Sequence, residues 1–204
     1  MGGPDDGVPV LYFHGASATP DCGPSDDLCF RDGIRLIRFC RPGYGNIPAR
    51  PTASLIDIAE SALSQIAHLG LHRVSVLGWS GGGPYALASA LAPTKIVDKV
   101  AIVASWAPMQ PPHPNLPGGV KLFMKAAQVL PRTLFRSSLA ATGRRTVGHA
   151  DDIRRVARPW GFEVDGLPAH VPVAAWHSTG DHSSRRTLAK LRAGFARRIA
   201  GRVA

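Results

Sequence analysis

Short apolar runs alternate with amphipathic stretches along this chain. Five runs have the length and the β-branched or aromatic content of buried strands. They lie at Val8–Phe13, Gly33–Phe39, Val74–Leu77, within 95–104, and at Val171–Trp176. Apolar residues at helical spacing between them predict helices. These lie near 26–31 and over 52–69, 84–91, 122–130, 151–157 and 185–200.

The alternation of strands and helices predicts the fold class. We expect one α/β domain over residues 1–204, with a doubly wound, mostly parallel sheet of about five strands and helices on both faces. Residues 107–160 interrupt the alternation with a polar, proline-rich and basic segment. We interpret that segment as an abbreviated helical cap insert. The sequence also predicts a basic C-terminal helix within residues 182–204.

Composition and cysteine usage indicate the compartment. Hydrophobic residues make up 45% of the chain, and no apolar run approaches the roughly 20 residues that cross a membrane. The N-terminus has no basic segment followed by a long apolar stretch, so it does not have the pattern of a signal peptide. The three cysteines form no CxxC pair and are interpreted as reduced thiols. We therefore expect a cytoplasmic protein without a membrane span.

The net charge of +10 is concentrated at the C-terminus, where residues 182–204 hold seven basic and no acidic side chains. We interpret this segment as the solvated face of a helix. A weaker alternative is that the tail binds an anionic surface. Its one aromatic residue and lack of a recognition motif argue against a specific nucleic-acid partner.

The sharpest local signal surrounds Ser80. A predicted strand leads directly into Gly78-Trp79-Ser80-Gly81-Gly82, and a predicted helix follows. This arrangement is a nucleophile elbow, in which a strained turn lifts the serine hydroxyl above the end of the sheet. Side chains at Gly78 and Gly82 would collide with their surroundings. The Gly81 N–H, which follows the nucleophile, would donate to an oxyanion.

Three segments carry a resemblance to a known family: LYFHG at 11–15, RPGYG at 41–45 and VLGWSGGGPYA at 76–86. They resemble the α/β-hydrolase fold family, and within it the proline-iminopeptidase-like and lipase-like serine hydrolases. The resemblance covers roughly 8–106 and returns at 157–181. It implies a Ser–Asp–His triad, no cofactor, and a small-molecule ester or amide substrate.

The resemblance also implies roles for residues beyond the elbow. The loop after the first strand would supply a second oxyanion donor, the Ala16 N–H, because Gly15 permits close approach. His14 would support this loop and would not be the base. Asp181, which follows the last predicted strand, matches the position of the triad acid.

The catalytic base is missing from its family position, since no histidine follows His182. Family members also usually have two or more strands before the one at Val8, so the resemblance implies a chain shortened at both ends relative to the family. His113 and His182 are the histidines best able to replace the base. We expect a serine hydrolase with an acyl-enzyme on Ser80 and impaired activity. The alternative is a non-catalytic α/β-hydrolase-like protein, either truncated or a pseudoenzyme.

Metal and dinucleotide chemistry are not expected. No histidine and carboxylate cluster has the spacing of metal ligands. The glycines from Gly78 to Gly83 do not follow the G-x-G-x-x-G register of a dinucleotide site.

Overall fold

Five parallel strands form one sheet in the order β2-β1-β3-β4-β5. A computed structural model describes residues 1–106, 108, 117–141 and 147–177. The strands are β1 (Val8–Phe13), β2 (Ile34–Phe39), β3 (Val74–Trp79), β4 (Val97–Val103) and β5 (Val173–Trp176). The helices are α1 (Asp26–Arg31), α2 (Leu55–His68), α3 (Gly83–Ser89), α4 (Gly118–Val129), α5 (Arg132–Ala141) and α6 (Val147–Ala157).

Helices cover both faces of the sheet. Leu11 and Phe13 of β1 join the main apolar core beneath α2 and α3. Tyr12, between them, points to the opposite face and packs with Cys29 of α1. This alternation follows from the two-residue period of a strand. The predicted doubly wound α/β sheet is therefore confirmed.

Helix α2 shows how the local sequence sets an element. Ser54 accepts a hydrogen bond from the Asp57 backbone N–H, and the Asp57 carboxylate accepts one from the Ser54 N–H. This capping box starts the helix three residues later than the predicted residue 52. The buried side chains of α2 form one stripe: Leu55, Ile58, Ala59, Ala62, Leu63 and Ile66.

The insert contains a helix that the sequence did not predict. We expected two helices, at 122–130 and 151–157, but the described residues form three, with α5 between them. Among the α5 side chains whose burial is described, Phe135 and Leu139 are the buried apolar ones, and they pack in a cluster shared with α4 and α6. Such a narrow stripe among arginines and serines gives a weak helical signal. The prediction of two helices in this segment was wrong.

The predicted C-terminal helix at 185–200 lies outside the described residues, as does the basic tail at 182–204. Within the part of the chain that the structure describes, no helix combines the length and apolar character needed to cross a bilayer.

Candidate active site

Ser80 occupies a strained corner between β3 and α3. Its φ of 51° lies in the left-handed region, and Ala104 is the one other described non-glycine residue with positive φ. Such a conformation costs about 1–3 kcal/mol and persists only where the surrounding structure holds it. Strand β3 runs up to Trp79, residues 80–82 form a single 3₁₀ turn, and α3 begins at Gly83. The serine therefore lies at the carboxyl end of the sheet.

The glycines around Ser80 allow the surrounding backbones to approach closely. A Cβ added at Gly78 would lie 2.7 Å from the Ala86 Cβ and 2.7 Å from the Gly82 carbonyl oxygen. A Cβ added at Gly82 would meet the carbonyl oxygen of Phe13, at the end of β1. The turn therefore packs directly against the strand beside it, and side chains at these two positions would separate them.

The two predicted oxyanion donors are neighbours in space. A Cβ added at Gly81 would lie 2.9 Å from the Ala16 backbone nitrogen. A Cβ added at Gly15 would lie 3.6 Å from the Ser80 Cβ. The loop after β1 and the turn after β3 thus meet beside Ser80. Gly81 and Ala16 are buried, whereas Ser80 is partly exposed.

His14 is a fully buried part of this loop. Its Nδ1 lies 2.9 Å from the Gly15 carbonyl oxygen. Since a carbonyl can only accept, Nδ1 carries the proton in this bond. Burial, followed by the positive charge of Arg41, lowers the pKa of His14 to about 4. The imidazole is therefore neutral near pH 7.

We predict that His14 makes the folded state less stable in acid. An unfolded histidine has a pKa of about 6.5. Between that pH and about 4 the unfolded chain binds a proton at this position, whereas folded His14 stays neutral. Stability should fall between pH 6.5 and 4, by about 3 kcal/mol. Urea unfolding across this range measures the effect. His14→Asn, whose amide can donate to Gly15 without titrating, should flatten the slope, and an unchanged slope would contradict the assignment.

A buried ion pair joins this loop to helix α6. Arg41 donates from Nε and Nη2 to the Asp152 Oδ2, at 2.9 and 2.6 Å. Both side chains are completely buried. Tyr85 donates to the Asp152 Oδ1 at 2.6 Å, and Arg155 donates to the same oxygen at 3.2 Å. Asp152 therefore lies at the centre of a network between α6, α3 and the segment after β2.

The carbonyl oxygen of Ala16 accepts a hydrogen bond from helix α6. His149 of α6 donates from Nδ1 at 2.6 Å. The Tyr44 hydroxyl lies within hydrogen-bond reach of the same oxygen and 2.8 Å from the Asp152 Oδ2. Its single proton can serve one of these acceptors at a time. The network thus continues to the backbone beside Ser80.

A family model places this geometry in context. The model of the alpha/beta hydrolase family matches residues 10–201. The chain belongs to the alpha/beta hydrolase family. The predicted resemblance is therefore confirmed.

Proteins similar to this hydrolase-family chain include one from a fungus and two from bacteria. Hydrolase acrC of Aspergillus aculeatus is 37% identical over 101 residues, which are 45% of this chain and 22% of that protein. The chain thus spans less than a quarter of the fungal relative. BpoC of Mycobacterium tuberculosis superposes with a TM-score of 0.71 at 14% identity, covering 97% of this chain and 83% of that one. The esterase EaEST of Exiguobacterium antarcticum superposes with a TM-score of 0.67 at 19% identity, covering 98% of this chain and 83% of that one. At these identities the two structures show a shared fold.

The remaining predicted site residues of this family member lie outside the described part of the chain. They are the proposed acid Asp181 and the possible bases His113 and His182. Strand β5 ends at Trp176, and His177 after it is buried. Among the residues that are described, no group of three or more histidine, cysteine, aspartate or glutamate side chains has the arrangement of a metal site.

Sequence reasoning missed the buried network. Arg41 and Tyr44 belong to the RPGYG segment and Tyr85 to the elbow helix, yet these motifs served only as family signatures. Polar side chains within family motifs near the turn at Ser80 are a usable signal for such contacts. Asp152 gave no local signal, because it lies in a helix of mixed charge that resembles a surface helix.

Proposed function

We propose that this chain is a serine hydrolase that cleaves an ester or amide bond of a small molecule through an acyl-enzyme on Ser80. The observation that carries the proposal is the left-handed conformation of Ser80, with the backbones of Gly81 and Ala16 in contact beside it. A strained serine next to two backbone amides is the arrangement that acyl transfer requires. The family's name and the esterase among the similar structures support hydrolysis as the reaction.

In the first half of the reaction, the Ser80 hydroxyl attacks the substrate carbonyl. The C–O bond forms as the hydroxyl proton passes to a base, and the carbonyl oxygen becomes an oxyanion that accepts from the N–H groups of Ala16 and Gly81. Collapse of this intermediate breaks the bond to the leaving group. The leaving alcohol or amine takes the proton, and the acyl group remains on Ser80.

In the second half, water attacks the acyl-enzyme through the same oxyanion site. It yields the carboxylic acid and restores the Ser80 hydroxyl. Asp181 would orient the histidine that moves the proton, and His113 or His182 would have to be that histidine. Neither is at the family position, so we expect turnover well below that of a complete triad. An enzyme without one triad member retains about 10³–10⁴-fold catalysis over water.

A fluorophosphonate probe tests the proposal, because it reacts with an activated serine and mimics the tetrahedral intermediate. We expect one probe per chain, located at Ser80 by peptide mass spectrometry. Ser80→Ala should abolish labelling. Ser64→Ala, at an exposed serine on α2, is the matched control and should label like the wild type.

Hydrolysis of a p-nitrophenyl ester provides the second readout. Slow hydrolysis that disappears in Ser80→Ala would support an acyl-enzyme with an impaired base. Folded wild-type protein that neither labels nor hydrolyses would overturn the proposal and indicate a non-catalytic member of the family.

A further inference from the structure

Buried side chains hold every carbonyl of the segment from His14 to Ala16. Arg41 donates from Nη1 to the His14 oxygen at 2.5 Å and from Nη2 to the Gly15 oxygen at 3.1 Å. The His14 ring donates to the Gly15 oxygen as well. The Ala16 oxygen accepts from His149. The loop is therefore fixed through its backbone by groups from two other parts of the chain.

The bond to the Gly15 oxygen has a direct consequence for Ala16. The Gly15 carbonyl and the Ala16 N–H belong to the same peptide group, which is planar and trans. Fixing the direction of the carbonyl therefore fixes the N–H in the opposite direction. A donor on the carbonyl also polarises the peptide group, so that its N–H becomes a stronger donor. A charged guanidinium has a larger effect of this kind than a neutral donor.

Arg41 is itself held rigidly. Its guanidinium bonds Asp152 and lies 5.2 and 5.0 Å from the ring centres of Tyr44 and Tyr85. Burial alone would lower the pKa of Arg41, but the Asp152 carboxylate, followed by Tyr85 and Tyr44, raises it above its ordinary value. The guanidinium therefore stays charged without access to water.

Asp152 connects this arrangement to the cap. It lies on α6, where Arg155 donates to its Oδ1, and Arg155 in turn donates from Nε to the Ala53 carbonyl at 2.7 Å. The α6 backbone also contacts the segment after β2, because the Gly148 N–H donates to the Gly43 oxygen at 3.0 Å. The position of Arg41 thus depends on docking of the cap helix.

We propose that Arg41, held by Asp152 of the cap, is a positioning residue for the oxyanion hole: its bond to the Gly15 carbonyl aims and polarises the Ala16 N–H. This inference rests on the proposed function, since it assigns Arg41 a task in that reaction. Arg41 does not touch the substrate. It acts through the Gly15–Ala16 peptide group. The direction and donor strength of the Ala16 N–H therefore depend on how the cap helix docks.

Arg41→Lys tests the inference while keeping the charge beside Asp152. A lysine lacks the planar fork that reaches Asp152 and two carbonyls at once. We expect the rate of fluorophosphonate labelling and kcat for a p-nitrophenyl ester to fall about tenfold, with KM little changed. Loss of an entire oxyanion donor costs about 10²–10³ in kcat.

Arg132→Lys is the matched control. Arg132 makes the same kind of pair with the neighbouring carboxylate, Asp151, at 2.7 and 2.8 Å. That pair leads to α5 and has no described bond to residues 14–16. Labelling rate and kcat should stay within about twofold of the wild type, although the two lysine variants lose similar hydrogen bonds.

A spectroscopic signature reports the same peptide group without turnover. Gly15–Ala16 is the single Gly-Ala step in the sequence. Protein labelled with ¹³C-carbonyl glycine and ¹⁵N-alanine therefore gives one carbonyl-to-amide correlation peak, from this bond. Arg41→Lys should move its carbonyl shift upfield, as expected when a hydrogen bond to the oxygen weakens. Arg132→Lys should leave the peak in place. Asp152→Asn, which removes the partner of Arg41, is the second variant and should move the peak in the same direction.

The outcomes separate this inference from the proposed function. Reactive wild-type protein whose labelling rate and Gly15–Ala16 peak are unchanged in Arg41→Lys would overturn the positioning role and leave the serine hydrolase standing. Unreactive wild-type protein would overturn the hydrolase, and with it any task for Arg41 in catalysis. A slower reaction with a shifted peak in Arg41→Lys, and neither change in Arg132→Lys, would support both.

Discussion

Replacing Asp152 with alanine is expected to lower the free energy of unfolding by about 4 kcal/mol. Asp152 is completely buried, and so is the Arg41 that it pairs with. Arg155, its second cationic partner, has 7% of its side chain exposed. Truncation would leave two guanidinium ions in the interior without a carboxylate. Removing one member of a buried pair is costly because the remaining charge has no solvent to replace it.

The neighbouring Asp151 provides the control for this measurement. It is nearly as buried as Asp152, with 2% of its side chain exposed, but its partner Arg132 is 32% exposed. Water can therefore solvate Arg132 when Asp151→Ala removes the carboxylate, and we expect a loss of about 1 kcal/mol. Urea unfolding followed by tryptophan fluorescence compares the two variants. Equal losses would mean that the Asp152 network has no special role in stability.

A double-mutant cycle assigns the cost to the ion pair. Arg41→Met alone should be destabilising, because among the described residues Asp152 then retains Arg155 as its one cationic partner. Arg41→Met combined with Asp152→Ala should cost less than the sum of the two single changes, since neither member of the pair remains unpaired. A double variant that costs the full sum would show that Arg41 and Asp152 are not energetically coupled.

The sheet and the turn at Ser80 could be predicted because their signals are local. Each strand is a short apolar run, and β3 was predicted at 74–77 against the observed Val74–Trp79. The extension to Trp79 follows from geometry, since the strand must continue to the corner where Ser80 turns. Gly78 and Gly82 predict close packing around that corner, because a glycine lacks the Cβ that would prevent it.

The buried network could not be predicted from the sequence, since its members are far apart along the chain. Arg41 and Asp152 are separated by 111 positions. Hydrophobic patterning assigns charged residues of a helix to its solvent face, yet Asp151, Asp152 and Arg155 of α6 are all buried. Helix α6 buries these side chains because their partners lie on other segments: Asp152 accepts from Arg41 and Tyr85, and Arg155 donates to the Ala53 carbonyl. The polar groups and their hydrogen-bond partners thus lie on different segments, which the local sequence pattern does not relate.

Gly82→Ala is expected to lower the free energy of unfolding by about 3 kcal/mol, through steric collision alone. Gly82 has φ −80° and ψ −21°, which any L-residue adopts without strain. Backbone preference would even favour alanine here. The new methyl group, however, would meet the Phe13 carbonyl oxygen and lie 2.7 Å from that of His14. Both are backbone atoms at the end of β1 and cannot rotate away, so the turn or the strand must move.

Gly118→Ala isolates this steric contribution. Gly118 is the first residue of α4, and a Cβ there would have no atom within 4 Å. The substitution gains the same helical preference without a collision, so we expect stability within about 0.5 kcal/mol of the wild type. Thermal unfolding of both variants gives the difference. If Gly82→Ala were as well tolerated as Gly118→Ala, the turn at Ser80 could not be packed against β1. The loop after β1 would then lie too far from that turn for Gly81 and Ala16 to form one oxyanion hole.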